Sequence, residues 1–160
     1  MKNAILSIFR TDPDDWVASF LRIVLAGIIL PHGLRHFFGY FGGPGLFNTI
    51  EFFKTLGLRP VFGYIAIGAE TIGAVLLIFG LLTRVAALGV AAVFMVAAIT
   101  VHGKFGYFMN WYGSKRGEGV EFFVLGIAVA LAVIARGGGA KSADAGIGKP
   151  RPIDYSMMGR

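Results

Sequence analysis

Apolar residues are concentrated in four long stretches of this chain, and shorter segments between them carry most of the polar residues. The stretches cover residues 16–38, 60–82, 85–103 and 119–135. A helix needs about 20 mostly apolar residues to cross a bilayer, whereas a water-soluble fold of 160 residues has no use for so much continuous apolar sequence. The pattern therefore predicts an all-α integral membrane protein, a four-helix bundle with short loops.

The segments outside the predicted spans differ in character. Residues 1–15 predict an N-terminal segment that lies on the membrane surface. The loop between the first two spans is apolar and places four side chains on one helical face: Leu46, Phe47, Ile50 and Phe53. This face predicts an interfacial or re-entrant helix between spans one and two. Residues 137–160 are mostly small and polar and contain proline, which predicts a disordered tail.

Composition narrows the partners and the chemistry. The chain is 56% hydrophobic, carries a formal net charge of +6 and has no cysteine. Its basic residues flank the apolar segments, so lipid headgroups rather than nucleic acid are the expected partners. Their distribution predicts that both termini are cytoplasmic in a bacterial-type plasma (inner) membrane. Without cysteine, the chain by itself has no thiol chemistry and no thiolate ligand for a metal or an iron–sulfur cluster.

A few ionisable residues lie within or beside the predicted spans, where a charge costs about 2.5–3.5 kcal/mol on insertion scales. Topology brings six of them to one depth near the outer leaflet: His32, Arg35, His36, His102, Glu118 and Glu121. Glu70 lies near mid-membrane, and we expect it to be protonated or to pair with a cation such as Arg22 or Arg35. Arg22 itself is expected to extend its charged end toward the interface.

Three interpretations of these residues are open. They could form a structural polar network, because buried polar groups need partners whatever the function. Histidine and carboxylate at one depth also suit a transition metal, and His32 with His102 could bracket a haem, although the spacing contains no local metal motif and no metal site is assigned. Finally, histidine and glutamate could exchange protons with a quinone.

The stretch AETIGAVLLIFGLLTRVAAL from Ala69 resembles the signature of the DoxX family, a glutamate in helix two followed by a glycine-containing apolar run and a Leu-Thr-Arg turn. PHGLRH at Pro31, His102 at the third outer loop and the Gly-x-Glu pattern at Gly119 follow the same order, so the resemblance extends over residues 16–140.

The resemblance implies a small four-helix membrane protein that works beside respiratory or detoxifying redox enzymes. It assigns the family's polar motif to five residues: Glu70, His32, Arg35, His102 and Glu121. Arg35 stands where many relatives have lysine. Because a guanidinium keeps its proton, this residue does not suit a Schiff-base or proton-releasing role.

The leading hypothesis is a membrane subunit of a quinone-linked oxidoreductase or oxidative-stress system, with quinone as the expected cofactor and haem or metal as alternatives. The expected catalytic residues are Glu70, His102 and Glu121. The expected cofactor-binding residues are His32, Arg35, His36, His102 and Glu118. We also expect a protein partner subunit and consider a homo-oligomer. The alternative hypothesis is a non-catalytic membrane anchor or assembly factor for a redox partner.

Overall fold

A computed structural model of the chain describes residues 7–148, and within that range it contains helices and no strand. The order is α1 (Trp16–Phe38), α2 (Gly45–Thr55), α3 (Pro60–Phe79), α4 (Thr83–Ala97), α5 (Glu121–Arg136) and α6 (Ala143–Ile147). Single 3-10 turns lie at Tyr40–Gly42 and Gly103–Phe105, and a π-helical turn at Ala98–His102 extends α4.

Three helical segments in this part of the chain are long and apolar enough to cross a membrane: Trp16–Phe38, Pro60–Phe79 and Thr83–Phe105. The predicted all-α membrane class is confirmed at this level. The fourth predicted span corresponds to α5, which has 16 residues and is shorter than the roughly 20 that a perpendicular span requires.

Local sequence explains where the first helices begin and end. The carboxylate of Asp15 accepts a hydrogen bond from Ala18 N at 2.9 Å and so caps α1. Gly39 ends α1 in the left-handed conformation, at φ 77°. Pro60 occupies the first turn of α3, where its missing N–H removes no helical hydrogen bond.

Helix α1 packs against α3 and α5, and α4 packs against α3 and α5, while α2 lies across α1 and α3. Five larger side chains at the centre are completely buried: Leu25, Ile29, Leu77, Val90 and Val133. Small residues such as Ala74 and Ala87 lie between them and let the helices approach closely. The outward faces are apolar, with Phe20, Ile72 and Leu125 each about two-thirds exposed, as contact with lipid acyl chains requires.

The turn between α3 and α4 differs from the prediction. The predicted spans put this turn at residues 83 and 84. In the structure α3 already ends at Phe79, and Thr83 begins α4. Gly80 ends α3 at φ 63°, and Leu82 has φ 49°, a conformation that a leucine rarely adopts. The carboxylate of Asp144 accepts hydrogen bonds from Leu82 N at 2.8 Å and Thr83 N at 2.9 Å, which stabilises this turn.

The prediction of disorder from residue 137 onward is wrong for residues 137–148, while residues 149–160 lie outside the described range. Gly137 and Gly139 have φ values of 83° and 70°, which let the chain turn back across the start of α1. Ser142 then caps α6, and Asp144 is 1% exposed. This segment is ordered because it supplies polar partners to helix ends that would otherwise lack them.

Arg22 is also placed differently from expectation. Instead of extending to the interface it is 4% exposed. Its Nη1 donates to Leu77 O at 2.7 Å and to Ile78 O at 2.5 Å. Its Nε donates to Gly138 O at 2.8 Å and its Nη2 to Lys141 O at 3.2 Å. The end of α3 and the 137–141 segment thus offer the guanidinium four acceptors inside the protein, so it has no need to reach water.

The predicted surface segment at residues 1–15 is described only from residue 7. Thr11 Oγ1 donates to Arg136 O at 3.2 Å and accepts from Gly139 N at 2.7 Å. Ala140 N donates to Asp15 O at 3.0 Å. Residues 10–15 therefore lie against the end of α5 and the segment that follows it.

Candidate functional site

A close pair of ionisable side chains links α1 to α3. His36 Nδ1 lies 2.6 Å from Glu70 Oε2, in a geometry that requires a proton between the two atoms. Glu70 is 6% exposed, whereas 30% of the His36 side chain is exposed. The pair therefore joins a buried carboxylate to a ring that reaches the protein surface.

Glycine at position 33 makes this pairing possible. A Cβ atom on Gly33 would lie 2.6 Å from Glu70 O and 2.7 Å from Thr71 Cγ2, both too close for any side chain. Because glycine has no Cβ, the backbones of α1 and α3 approach each other at this point. His36, three residues further along α1, is thereby held within reach of Glu70.

Glu70 was expected to be protonated or to pair with a cation such as Arg22 or Arg35, and neither arginine is its partner. Arg22 binds main-chain carbonyls at the end of α3 instead. Arg35 is exposed on α1, and no ion pair of Arg35 occurs among residues 7–148. The helical spacing explains the difference, because His36 and Gly33 share the face of α1 that meets α3, whereas Arg35 is rotated away from it.

An open cleft of about 410 Å³ borders His36, the more exposed member of the pair. Its lining residues come from α1, the following turn and α2: Arg35, His36, Gly42, Gly43, Pro44, Thr49 and Phe52. Thr49 is buried, and its hydroxyl lies 2.8 Å from Gly45 O and 3.2 Å from His36 O. This contact anchors α2 to the end of α1. The predicted helix between the first two spans therefore exists and forms one wall of the cleft.

His32 lies one turn before His36 on α1. The two ring centroids are 6.3 Å apart, with the ring planes inclined by 54°. His32 is exposed at the protein surface. The structure thus places His32 beside His36, which contacts Glu70.

The remaining predicted site residues form a separate group around the 106–118 loop. His102 Nδ1 lies 2.9 Å from Glu118 O, and the His102 ring packs on Phe123 with centroids 4.4 Å apart. Glu118 Oε2 accepts from Asn110 N at 2.7 Å. Glu121 Oε2 accepts from Met109 N at 3.2 Å. These bonds tie the loop to the start of α5.

The sequence predicted one cluster, but in the described range no hydrogen bond or ion pair connects these two groups. Similar depth along different helices was the basis for that prediction, and depth does not determine the direction in which each side chain points. Between residues 7 and 148, no three histidine or acidic side chains come together in a way that could hold a metal ion.

Sequence reasoning missed two residues with structural importance, Asp144 at the turn between α3 and α4 and Thr49 beside His36. The sequence did contain a signal for an ordered helix at Asp144, because serine is a common helix cap and Ser142 lies two positions earlier. In the structure, Ala145 N donates to the Ser142 hydroxyl at 3.1 Å. Thr49 carried no comparable signal, because its contact with His36 O spans 13 positions of the chain.

Comparison with known proteins supports the resemblance seen in the sequence. The DoxX family profile matches residues 17–103, which include His32, Arg35, His36, Glu70 and His102. Glu118 and Glu121 lie beyond the matched segment, although the resemblance was expected to continue to residue 140.

A protein of Bacillus subtilis (strain 168) named "Putative oxidoreductase CatD" is 37% identical over 81 residues. The match covers 51% of this chain and 56% of that protein, so the chain spans about half the length of this relative. No solved structure matches the chain. Because the family profile covers more than half of its residues, including the His36–Glu70 pair, the chain belongs to the DoxX family.

Proposed function

We propose that this protein is a membrane subunit of a quinone-linked oxidoreductase or oxidative-stress system, and that His36 and Glu70 exchange protons with a quinone in the adjoining cleft. The observation that carries the proposal is the 2.6 Å contact between His36 Nδ1 and Glu70 Oε2 beside an open cleft. The family membership and the name of the Bacillus relative support a redox role.

The chemistry of the pair suits this role. Reduction of a quinone to a quinol takes up two electrons and two protons at its carbonyl oxygens. His36 lines the cleft, and since its Nδ1 is bound to Glu70, Nε2 is the ring nitrogen left to bond a carbonyl oxygen. When the protonated ring gives its Nε2 proton to the quinone, the proton between Nδ1 and Glu70 leaves the ring neutral, and water at the exposed part of His36 supplies the next proton.

Other cleft residues would position the ring. Arg35 offers guanidinium donors that stabilise negative charge on a carbonyl oxygen without releasing a proton, and Phe52 offers an aromatic face. The proposal assigns delivery of the electrons to a partner protein, because the chain has no cysteine from which to build a dithiol or an iron–sulfur centre. In this scheme the 106–118 loop is held in place by His102, Glu118 and Glu121. A direct catalytic role of His102 and Glu121 stays a prediction.

We also take α5 as a fourth membrane span. At its start, Val120 N and Glu121 N donate to Gly106 O and Tyr107 O beyond the end of α4. At its end, Arg84 at the start of α4 donates to Ile134 O and Ala135 O. These contacts support equal depth for the two helices. Four spans place both chain ends on one side, which the distribution of basic residues assigns to the cytoplasm of a plasma membrane.

The test is quinone reduction by membranes from cells in which this chain is replaced by variants. We expect His36→Gln and Glu70→Gln each to lower the rate by about 100-fold or more, which is the usual contribution of a positioned acid–base group. Glu51→Gln, an exposed carboxylate that pairs with Lys54 on α2, is the matched control and should retain the rate. Full activity in both His36 and Glu70 variants would refute the proposal.

A second candidate function is a membrane anchor or assembly factor for a redox enzyme. The observation in its favour is that Arg22, His102, Glu118 and Asp144 all bond to main-chain atoms and so hold helix ends and loops. The same membranes separate the two functions. An anchor requires that deletion of the whole chain abolishes activity and releases the partner, whereas His36→Gln and Glu70→Gln change neither.

A further inference from the structure

A basic cleft lies at the opposite end of the helices from the 106–118 loop. It has a volume of about 430 Å³ and is lined by Arg10, Thr11, Asp12, Arg84, Arg136 and Gly148. Arg84 lies in the first turn of α4 and Arg136 ends α5, while Arg10 precedes α1. The cleft therefore forms where three separate parts of the chain meet at one end of the spanning segments.

Within residues 7–148, two of its three guanidinium groups have no ion-pair partner. Arg136 Nε bonds to Asp15 Oδ2 at 2.7 Å, but neither Arg10 nor Arg84 forms an ion pair with any residue of the described range. Among residues 7–148, the acceptors of Arg84 are all main-chain oxygens: those of Ile134 and Ala135 for Nη1, and that of Arg10 for Nη2. These bonds orient its guanidinium without cancelling the formal charge.

Arg84 also has an unused donor. Its Nε is buried and has no hydrogen-bond acceptor within the part of the chain that the structure describes. Asp12 is the one carboxylate among the lining residues, and its Oδ1 already accepts from Asp14 N at 2.9 Å. Even with Asp15 counted, three guanidinium groups face two carboxylates, so the described residues give the cleft a net positive charge.

The position of the cleft relative to the membrane indicates which kind of anion it would bind. Trp16 follows Asp15 directly and is 64% exposed, as is typical of a residue at the membrane–water interface. Val17 and Phe20 continue from it as exposed apolar side chains on α1. A positive cleft above an apolar surface matches a molecule with an anionic head and a hydrocarbon tail.

We propose that this cleft binds the phosphate group of an anionic phospholipid, with Arg10 and Arg84 as the charged contacts. The acyl chains would lie against α1, and the lipid would connect the segments before α1, at the start of α4 and at the end of α5. Clustered arginines at a membrane surface attract anionic headgroups. One guanidinium group can also donate two parallel hydrogen bonds to the oxygens of one phosphate. This site is distinct from the His36–Glu70 pair and does not depend on the proposed redox function.

The experiment is native mass spectrometry of the full chain, extracted in mild detergent and supplied with equal amounts of phosphatidylglycerol and phosphatidylcholine. We expect one phosphatidylglycerol to stay bound in preference to phosphatidylcholine. Arg10→Gln should weaken its retention about fivefold, which is the usual effect of one basic residue near an anionic surface. Arg10 is the suitable position because its side chain is exposed and supports no helix end.

Two further variants make the result specific. Asp12→Asn removes the carboxylate from the cleft while keeping an oxygen for Asp14 N, and should strengthen retention, an effect that misfolding cannot produce. Arg116→Gln is the matched control, since Arg116 is an exposed arginine in the 106–118 loop, and it should change nothing.

Equal retention of the two lipids, or equal effects of Arg10→Gln and Arg116→Gln, would overturn the proposal. Inorganic phosphate serves as a competitor in the same samples. Retention of phosphatidylglycerol in millimolar phosphate supports a lipid site, whereas complete displacement would show that the cleft takes free phosphate instead.

Discussion

Arg22 of α1 and Asp144 of α6 hold the turn between α3 and α4 from its two sides. Arg22 donates to Leu77 O and Ile78 O at the end of α3, and Asp144 accepts from Leu82 N and Thr83 N at the start of α4. Each charge has the sign that its helix end favours, a cation at the carboxyl end and an anion at the amino end. The two side chains also attract each other electrostatically. The turn is therefore fixed by residues distant from it in sequence.

Replacement of Asp144 tests this arrangement. Asp144→Asn keeps one acceptor oxygen of two and leaves the buried Arg22 without its nearby negative charge. We expect the free energy of unfolding to fall by about 2–4 kcal/mol, measured by titration with a denaturing detergent in mixed micelles. Asp14→Asn, an exposed acid in the turn before α1, is the control and should change it by less than about 0.5 kcal/mol. Equal stability of the two variants would contradict the proposed role.

The close approach of α1 and α3 at Gly33 gives a second prediction. Gly33→Ala inserts a methyl group 2.6 Å from Glu70 O, so the helices must separate. We expect a loss of about 1–3 kcal/mol in the free energy of unfolding. Gly27→Ala, on the same helix with nothing within 4 Å of the new methyl group, should be neutral or stabilising by up to about 1 kcal/mol. The two variants should therefore shift the thermal midpoint in opposite directions or by clearly different amounts.

The ion pair between Asp15 and Arg136 predicts a dependence of stability on acid pH. The hydrogen bond from Arg136, with that from Ala18 N, lowers the pKa of Asp15 below its usual value of 3.8. Because the folded-state pKa is the lower one, the stabilisation is fully present above pH 3.8 and is lost as the pH falls through the folded-state value.

Asp15→Asn isolates this effect, since asparagine caps a helix as well as aspartate does but carries no charge. In thermal unfolding between pH 2.5 and 6, the wild type should be more stable than the variant at the upper end, and the difference should disappear at the lower end. A constant difference across this range would mean that the ion pair does not contribute.

Some features of this protein follow from the sequence alone because their causes are local. The three membrane-length helices were predicted close to their observed bounds, since length and apolarity identify a span without knowledge of its neighbours. The helix at Gly45–Thr55 followed from four apolar side chains on one face. Family membership also follows from the sequence, because the DoxX signature around Glu70 is one continuous stretch of residues.

The partners of the polar side chains were decided only by the tertiary structure. Arg22 and Arg35 were named as possible partners of Glu70, which instead meets His36, because Gly33 determines which face of α1 approaches α3. Residues 137–148 were expected to be disordered because their composition is polar. They are ordered because they form hydrogen bonds with the turn between α3 and α4, and the sequence of the segment does not reveal those partners. The sequence of a single segment shows which of its residues are apolar and will be buried or face lipid. A hydrogen bond needs two groups at a set distance and angle, and only the packed helices define where the second group lies.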